Sequence, residues 1–308
     1  MPSGEFSLIY RYFSHLGAGD AVDLSVGDDC ALLRLAPGER LATSVDTLVA
    51  GVHFPEDSFP EDIGYRAAAV AASDLAAMGA RPLGMTIALT LPDSDELFVN
   101  AFSQGVAGAV SDFQLPLVGG DTTRGPLTIS VTVMGALPLE RALIRAGAGV
   151  GDEVWVSGTL GDAAAALAVM SGEWRPGPER AEYLLQRFNR PAPRLALGKV
   201  LLDSASACID ISDGLLADAG HIAAASGVQL VLDPASLPLS EVLRAHPEPE
   251  QALRWALAGG DDYELCFTLP AGSDAPPGCT RIGEVRAGEG VDCGLAIDFA
   301  TGYQHFSD

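Results

Sequence analysis

Apolar and polar positions alternate along the chain in blocks of either strand or helix character. Short apolar runs rich in β-branched residues predict strands at Cys30–Leu35, Leu41–Val45, Leu83–Leu91, Leu115–Val118, Leu127–Leu137, Glu153–Val156, Ala207–Ile211, Val228–Leu232, Tyr263–Leu269 and Arg281–Arg286. Ala- and Leu-rich segments predict helices at Ile63–Met78, Asp95–Phe113, Asp162–Met170, Glu179–Asn189, Leu195–Leu202, Leu215–Ala225 and Glu250–Ala258. The mixture predicts an α/β or α+β protein.

The length of the chain and one turn-rich segment predict two domains. At 308 residues the chain can build two domains of ordinary size, each with its own core. Pro138 and the glycine-rich Arg145–Asp152 separate the two halves of the pattern. We therefore predict domains at residues 1–140 and 141–308.

The charge balance excludes two classes of partner. Lys and Arg number 18 against 41 Asp and Glu, a formal net charge of −23, so nucleic acid and anionic membranes would be repelled. A salt-adapted acidic surface is an alternative explanation of the same charge. The N-terminal segment lacks the features of a signal peptide, and the apolar stretch Ala67–Ala80 is too short to span a bilayer. We expect a soluble cytoplasmic protein.

The cysteines do not indicate a disulfide framework or a zinc site. All 5 are widely spaced and form no C-x-x-C pair: Cys30, Cys208, Cys266, Cys279 and Cys293. Three of them lie in apolar, strand-like runs, where core packing is the expected role.

Acidic residues stand at the ends of short apolar stretches rather than in one charged run. They are Asp28, Asp29, Asp46, Asp74, Asp121, Asp210, Asp213, Asp261 and Asp262. Carboxylates that several strand ends deliver to one region can hold Mg²⁺, which takes oxygen ligands and bridges them to phosphate oxygens. The pattern predicts a Mg²⁺-dependent enzyme that acts on phosphates.

Two motifs in the first half place such carboxylates beside strands. Gly27 and Asp28 open a predicted strand, although an ordinary Gly-Asp turn has the same appearance. Asp46 ends the next strand, with the Ser44 hydroxyl beside it. His53 follows in a loop, where a lone histidine is more often structural than catalytic.

Asp74 and Asp121 are the other candidates in this half. Asp74 is the only charged residue between Arg66 and Arg81, and the sequence leaves open whether it faces a polar site or solvent. Asp121 follows two glycines at the end of a predicted buried strand, where backbone N–H groups can approach a phosphate closely. A Gly-Gly-Asp turn without such a role is also common.

The second half repeats this arrangement. Asp210 and Ser212 would share one face of a strand, and a turn would bring Asp213 beside them, although Asp213 could instead cap the following helix. Asp162 is expected to cap its own helix. Two glycines precede Asp261 between a helix and a strand.

The motifs together resemble one enzyme family. GDDCALL, SVDTLVAGVHF, SDLAAMGA, GGDTTRGP, RALIRAGA, DISDGL, GGDDYELCF and TGYQHF occur in the order found in thiamine-monophosphate kinases, over nearly the whole chain. The resemblance implies a two-domain fold like that of aminoimidazole ribonucleotide synthetase. It also implies an N-terminal domain that pairs with a second subunit, a C-terminal domain that completes the active site, and ATP-dependent phosphorylation of thiamine phosphate to thiamine diphosphate.

The resemblance also implies residue roles. Positions matching the family's Mg²⁺ ligands are Asp28, Ser44, Val45, Asp46, Asp74, Asp121, Asp210 and Asp213. Positions matching nucleotide contacts are Gly120, Asp121, Arg145 and Ser212, and those near thiamine phosphate are His53, Asp261 and Tyr303. Asp46, Asp121 and Asp210 are expected to be catalytic. Two positions depart from the family: Val45 replaces a common Thr and could ligate only through its carbonyl, and Asp261 replaces a common Glu.

Two other functions remain open at this point. Another ATP-using enzyme of the superfamily would share the aspartates. A non-catalytic acidic protein that binds Mg²⁺ or nucleotide would share the charge.

Overall fold

The computed structural model describes residues 5–274, 276–296 and 299–303 and shows mixed helices and sheets, which confirms the predicted fold class. The helices are α1 (Glu5–Tyr12), α2 (Pro60–Met78), α3 (Glu96–Phe113), α4 (Asp162–Met170), α5 (Pro178–Asn189), α6 (Leu195–Leu201), α7 (Leu215–Ser226), α8 (Glu241–Arg244) and α9 (Pro249–Ala258). The strands are β1 (Val22–Leu24), β2 (Leu32–Leu33), β3 (Glu39–Val49), β4 (Arg81–Leu91), β5 (Leu117–Arg124), β6 (Thr128–Pro138), β7 (Glu153–Ser157), β8 (Ala207–Asp210), β9 (Gln229–Leu232), β10 (Leu265–Leu269), β11 (Cys279–Arg286) and β12 (Gly290–Asp292).

The chain forms two compact units. The first comprises Met1–Leu75 and Ala80–Arg141, and the second comprises Ala76–Gly79 and Ala142–Asp308. Among the described residues, no helix is long and apolar enough to cross a membrane.

The first unit is built on a four-stranded sheet with the order β3-β6-β4-β5. β6 pairs antiparallel with both β3 and β4, while β5 pairs parallel with β4. Ile129, Val131 and Val133 alternate with less buried residues along β6 and are fully buried. This period of two gives the sheet one packed face.

Helix α2 covers the packed face, and α3 packs on α2. Leu75 of α2 lies directly over Gly135 of β6. The two helices approach through glycine: a Cβ on Gly105 would lie 1.8 Å from the carbonyl oxygen of Glu61, where no side-chain atom fits. Small residues therefore set the spacing of this helix pair.

The second unit contains a six-stranded sheet with helices on both faces. Its order is β12-β9-β11-β7-β10-β8, and every pair is antiparallel except β12 with β9. Val156, Ile209 and Cys266 belong to one core with α7 and α9, while Phe267 belongs to a second core with Leu201 of α6. Alternation along the strands thus supplies two cores from one sheet.

Most predicted elements are present, with corrections at five strands. The strand predicted at Leu41–Val45 runs from Glu39 to Val49, so Asp46 lies inside the strand and not at its end as predicted. The strand predicted at Cys30–Leu35 is limited to Leu32–Leu33. This segment pairs only with the short β1, and Leu32 is 55% exposed, so burial does not extend the strand. The strand predicted at Leu115–Val118 instead runs to Arg124, because parallel pairing with β4 continues through polar residues. Ala207–Ile211 ends one residue early at Asp210, and Tyr263 lies in a turn before β10. α1, α8, β1 and β12 were not predicted, because each is too short for a clear period.

Gly105→Ala should destabilise the first unit by about 2 kcal/mol or more, because the new methyl group would overlap backbone of α2. Gly108→Ala, in the same helix, is the matched control: its Cβ would meet only the Tyr65 ring, at 3.5 Å. The control should stabilise by about 0.5–1 kcal/mol through helix propensity. Urea denaturation followed by circular dichroism measures both, and equal effects would contradict the packing described for α2 and α3.

Candidate active site

A cavity of about 910 Å³ in the first unit collects one group of the predicted residues. Asp28 lies on its wall in the exposed turn after Gly27, and Gly120 and Asp121 line it from β5. Ile9 and Phe13 of the N-terminal region add apolar surface. Apolar walls with a few polar groups are typical of ligand cavities, so the structure brings Asp28 and Asp121 to one concave surface.

Gly120 is required by the backbone around it. A Cβ there would lie 2.1 Å from the carbonyl oxygen of Ile87 on β4, so no other residue fits without moving a strand. Asp121 itself is exposed and pairs with Ala88 within β5, rather than following the end of a strand as predicted. Gly120 therefore lets β5 stay paired with β4 while the Asp121 carboxylate lies at the cavity wall.

A second group lies where β3 meets α2. Ser44 Oγ donates a hydrogen bond to the Asp74 carboxylate, which settles the orientation that the sequence left open for Asp74. Asp46 follows Ser44 on the same face of β3, and one of its carboxylate oxygens is buried. Three oxygen-bearing side chains thus share one region of the first unit.

Val45 and His53 are placed differently. The Val45 side chain points to the opposite face of β3 from Asp46 and is 61% exposed. His53 Nδ1 accepts a hydrogen bond from the Val49 backbone N–H at 3.0 Å, which requires the tautomer with its proton on Nε2. The loop therefore fixes the orientation of the His53 ring, with its proton on Nε2.

In the second unit, the segment after β8 holds a third group. Asp210 is buried at the end of β8, and Ser212 and Asp213 lie in the loop before α7. Ser212 therefore does not continue the strand face of Asp210 as predicted. Gly214, not Asp213, is the N-cap of α7, so the alternative in which Asp213 caps the helix is wrong.

Asp218 organises this loop, and sequence reasoning missed it. One of its carboxylate oxygens accepts hydrogen bonds from the backbone N–H groups of Ser212, Asp213 and Gly214, at 3.0, 3.0 and 3.1 Å. Burial, and then the nearby Asp213 charge, raise the pKa of Asp218 to about 6 although these three donors oppose the rise. A charged residue in the apolar sequence of α7, shortly after Asp213, was the available signal.

Asp261 and Tyr303 lie beside the same loop. The Asp261 backbone N–H donates to the Ser212 carbonyl oxygen at 2.8 Å, and the Tyr303 backbone N–H donates to the Asp213 carbonyl oxygen at 3.0 Å. The structure therefore groups Asp210, Ser212, Asp213, Asp261 and Tyr303 within the second unit. The predicted tail residues after Tyr303 lie outside the described residues.

Arg145 is not part of this group in the structure. Its carbonyl oxygen accepts a hydrogen bond from Ser226 Oγ at 3.3 Å, at the C-terminal end of α7, and the residue is exposed. Ser212 precedes the opposite end of that helix. A nucleotide contact by Arg145 stays a prediction.

Behind the Asp261 turn lies a group of five charged side chains, three buried carboxylates and two partly exposed arginines, which we call the ion cluster. It consists of Asp162, Arg187, Arg194, Asp262 and Glu264. Asp162 does not cap α4 as predicted, because Gly161 is the N-cap and the Asp162 carboxylate instead accepts from Ser240, Thr159 and Tyr183. Burial raises the pKa of Asp262 well above its usual range, although the Gly161 backbone N–H and the Arg187 charge oppose the rise.

The donor chemistry in both units fits Mg²⁺. Within residues 5–274, 276–296 and 299–303, no three His, Cys, Asp or Glu side chains already converge as a metal site. The predicted ligands nevertheless offer only hydroxyl, carboxylate and carbonyl oxygens, and oxygen is the donor that Mg²⁺ prefers. The buried oxygen of Asp46 beside Ser44 and Asp74 is the position in the first unit best suited to a cation.

Comparisons with known proteins identify the class. The family model for the N-terminal domain of AIR synthase related proteins matches residues 27–137, which include most of the cavity wall and most of the first sheet. The chain therefore has an AIR synthase-like fold, with acidic side chains at the wall of its cavity.

Closer relatives identify the family. Thiamine-monophosphate kinase of Escherichia coli (strain K12) is 50% identical over 272 residues, which are 88% of this chain and 84% of the relative. The crystal structure of thiamine-monophosphate kinase from Stenotrophomonas maltophilia K279a has a TM-score of 0.84 and 46% identity, covering 89% of this chain and 92% of that chain. AaThiL complexed with AMPPCP and TMP has a TM-score of 0.82 and 37% identity, covering 89% of each chain. The chain belongs to the thiamine-monophosphate kinase family, which confirms the resemblance and shows that it is a kinase.

Asp218→Asn tests the electrostatics of the Ser212 loop in metal-free buffer. Folding raises the pKa of Asp218 from 3.8 to about 6. The protonated carboxyl group therefore contributes fully to folding stability below pH 3.8, and this contribution is lost as the pH rises through 6. Asn stays neutral, so the stability of the wild type relative to the variant should fall by roughly 2 kcal/mol between pH 4 and pH 7. Urea denaturation in EDTA across this range measures it. A difference that does not change with pH would contradict the raised pKa.

Proposed function

We propose that this chain transfers the γ-phosphoryl group of ATP to the phosphate of thiamine phosphate, giving thiamine diphosphate and ADP. The observation that carries the proposal is the family membership at 50% identity. It is supported by a relative of 37% identity that is complexed with AMPPCP and TMP. The last step of thiamine diphosphate biosynthesis is the corresponding cellular role.

The cavity of the first unit is the proposed nucleotide site. The close approach of β5 and β4 at Gly120 leaves no side chain there to obstruct a phosphate, and Asp121 stands next to it. The apolar surface at Ile9 and Phe13 suits the base and ribose. The family resemblance supports Ser212 and Arg145 as further nucleotide contacts, with Arg145 supplying a fixed cation.

The proposed Mg²⁺ ligands follow the oxygen donors of each unit. They are Asp28, Ser44, Asp46, Asp74 and Asp121 in the first unit, the carbonyl of Val45, and Asp210 and Asp213 in the second unit. These residues would hold Mg²⁺, which would offset the negative charge of the phosphates. Asp218 would hold the backbone of Asp213 in place while the Asp213 carboxylate binds Mg²⁺.

The acceptor needs no strong general base. A phosphate monoester has a second pKa of about 6, so at neutral pH its attacking oxygen is already anionic. The protein must instead align this oxygen with the γ-phosphorus and limit the repulsion between the two phosphates. We propose that Asp46, Asp121 and Asp210 serve catalysis in this way, by positioning rather than by proton transfer.

Three residues are proposed contacts for thiamine phosphate. His53 presents Nε2–H, a donor suited to a phosphate oxygen or a ring nitrogen. Asp261 presents a carboxylate suited to the positive charge of the thiazolium ring, and Tyr303 adds an aromatic ring that is 48% exposed. Asp261 is one methylene shorter than the Glu common in the family.

We further propose a homodimer formed through the first unit. The face of β3 that points away from α2 carries Leu41 and Val45, which are 52% and 61% exposed in the single chain. Exposed apolar residues on one sheet face are suited to burial against a second copy. The absence of nucleic-acid and membrane partners and the cytoplasmic location stay predictions from charge and sequence.

The direct test combines purified protein, ATP and Mg²⁺ with and without thiamine phosphate. ADP and thiamine diphosphate should appear in equal amounts, and only when thiamine phosphate is present. ADP release without thiamine phosphate, and without thiamine diphosphate when it is added, would favour another ATP-using enzyme of the superfamily. Nucleotide binding without any ADP release would favour the non-catalytic alternative.

A further inference from the structure

The turn that carries Asp261 has an unusual backbone. Asp261 and Tyr263 have φ angles of 60° and 50°, and they are two of the three non-glycine residues with positive φ in the described parts of the chain. This conformation costs about 1 kcal/mol or more for a residue with a Cβ. Such a conformation persists only where surrounding contacts impose it. The contacts of this turn therefore indicate which side chain the backbone conformation positions.

On one side, the turn is held by the ion cluster. Glu264 is 1% exposed and accepts hydrogen bonds from Arg187 Nη2 at 3.1 Å, Arg194 Nε at 2.6 Å and Ser157 Oγ at 2.5 Å. Asp262 accepts from the Gly161 backbone N–H with both carboxylate oxygens, at 3.0 Å each. These buried contacts fix residues 262 and 264 and thereby the backbone between them.

On the other side, the turn faces the Ser212 loop. The backbone N–H groups of Asp261 and Tyr263 donate to the carbonyl oxygens of Ser212 and Ile211, each at 2.8 Å. The Tyr263 hydroxyl donates to Asp261 Oδ1 at 3.0 Å, and Tyr263 is only 9% exposed. The positive φ at both residues is what brings a mostly buried hydroxyl back to a carboxylate two positions earlier.

We propose that Tyr263 is a positioning residue that holds the Asp261 carboxylate in one orientation for the cationic ring of the acceptor substrate. This inference rests on the proposed function. A carboxylate that is already oriented loses less conformational freedom when a ligand binds, and the hydrogen bond from the Tyr263 hydroxyl to Oδ1 supplies this orientation without cancelling the negative charge. Tyr263 acts through Asp261 and not on the reacting phosphates, so its effect falls on acceptor binding.

Tyr263→Phe removes only this hydroxyl. The KM for thiamine phosphate should rise about three- to tenfold, while the KM for ATP and kcat stay within about twofold. Tyr183→Phe is the matched control, because it removes a comparable tyrosine-to-carboxylate bond of 3.1 Å to Asp162 in the same unit. Asp162 keeps Ser240 and Thr159 as donors, so the control should leave both KM values unchanged.

Two further readouts separate positioning from a general structural effect. With a neutral analogue of thiamine phosphate, in which carbon replaces the quaternary nitrogen, wild type and Tyr263→Phe should have equal KM values. The double variant Tyr263→Phe/Asp261→Asn should have the same KM for thiamine phosphate as Asp261→Asn alone, because the two substitutions disrupt the same interaction with the substrate.

Three results would overturn the inference: an unchanged KM for thiamine phosphate in Tyr263→Phe, an equal rise with the neutral analogue, or additive losses in the double variant. Each of these requires an active wild type. A wild-type protein that forms no thiamine diphosphate would instead refute the proposed function, so the two failures are distinguishable.

Discussion

Electrostatic repulsion is the constraint on which this molecule depends. A chain with a formal net charge of −23 that belongs to a kinase family must accommodate phosphate esters beside its own carboxylates. The structure holds the candidate carboxylates in three places. It places small groups of carboxylates at the cavity wall, at the contact of β3 with α2, and in the loop before α7, where oxygen donors fit hard cations.

Backbone constraints hold these carboxylates in place. At Gly120 the neighbouring strand leaves no room for a Cβ, so β5 remains paired while Asp121 reaches the cavity. In the second unit, Asp218 gathers three backbone N–H groups and so fixes the loop of Ser212 and Asp213. The ion cluster does the same for the turn of Asp261, where Arg187 and Arg194 pair with the buried Glu264.

The sequence predicts the helices and long strands well because burial imposes a clear period on them. It also predicts which acidic residues are candidates, since each follows an apolar run or a glycine. It does not reveal Glu264, Arg187 or Arg194, because these residues are distant in sequence and meet only when the chain folds. Asp218 is close in sequence to its partners, but only the fold of the loop before α7 turns their backbone N–H groups toward its carboxylate. Strand ends at Asp210 and Leu265 were misjudged for the same reason: hydrogen bonds to other loops, not local propensity, end these strands.

The central claim is that carboxylates such as Asp46 bind phosphates only through a cation. Titration calorimetry with AMPPCP, a nucleotide that a related kinase binds, tests it most directly when wild type and Asp46→Asn are compared in Mg²⁺ and in EDTA. Wild-type affinity should fall at least about 100-fold in EDTA, and Asp46→Asn should bind more weakly than wild type only when Mg²⁺ is present. Equal wild-type affinity in Mg²⁺ and EDTA would contradict the claim.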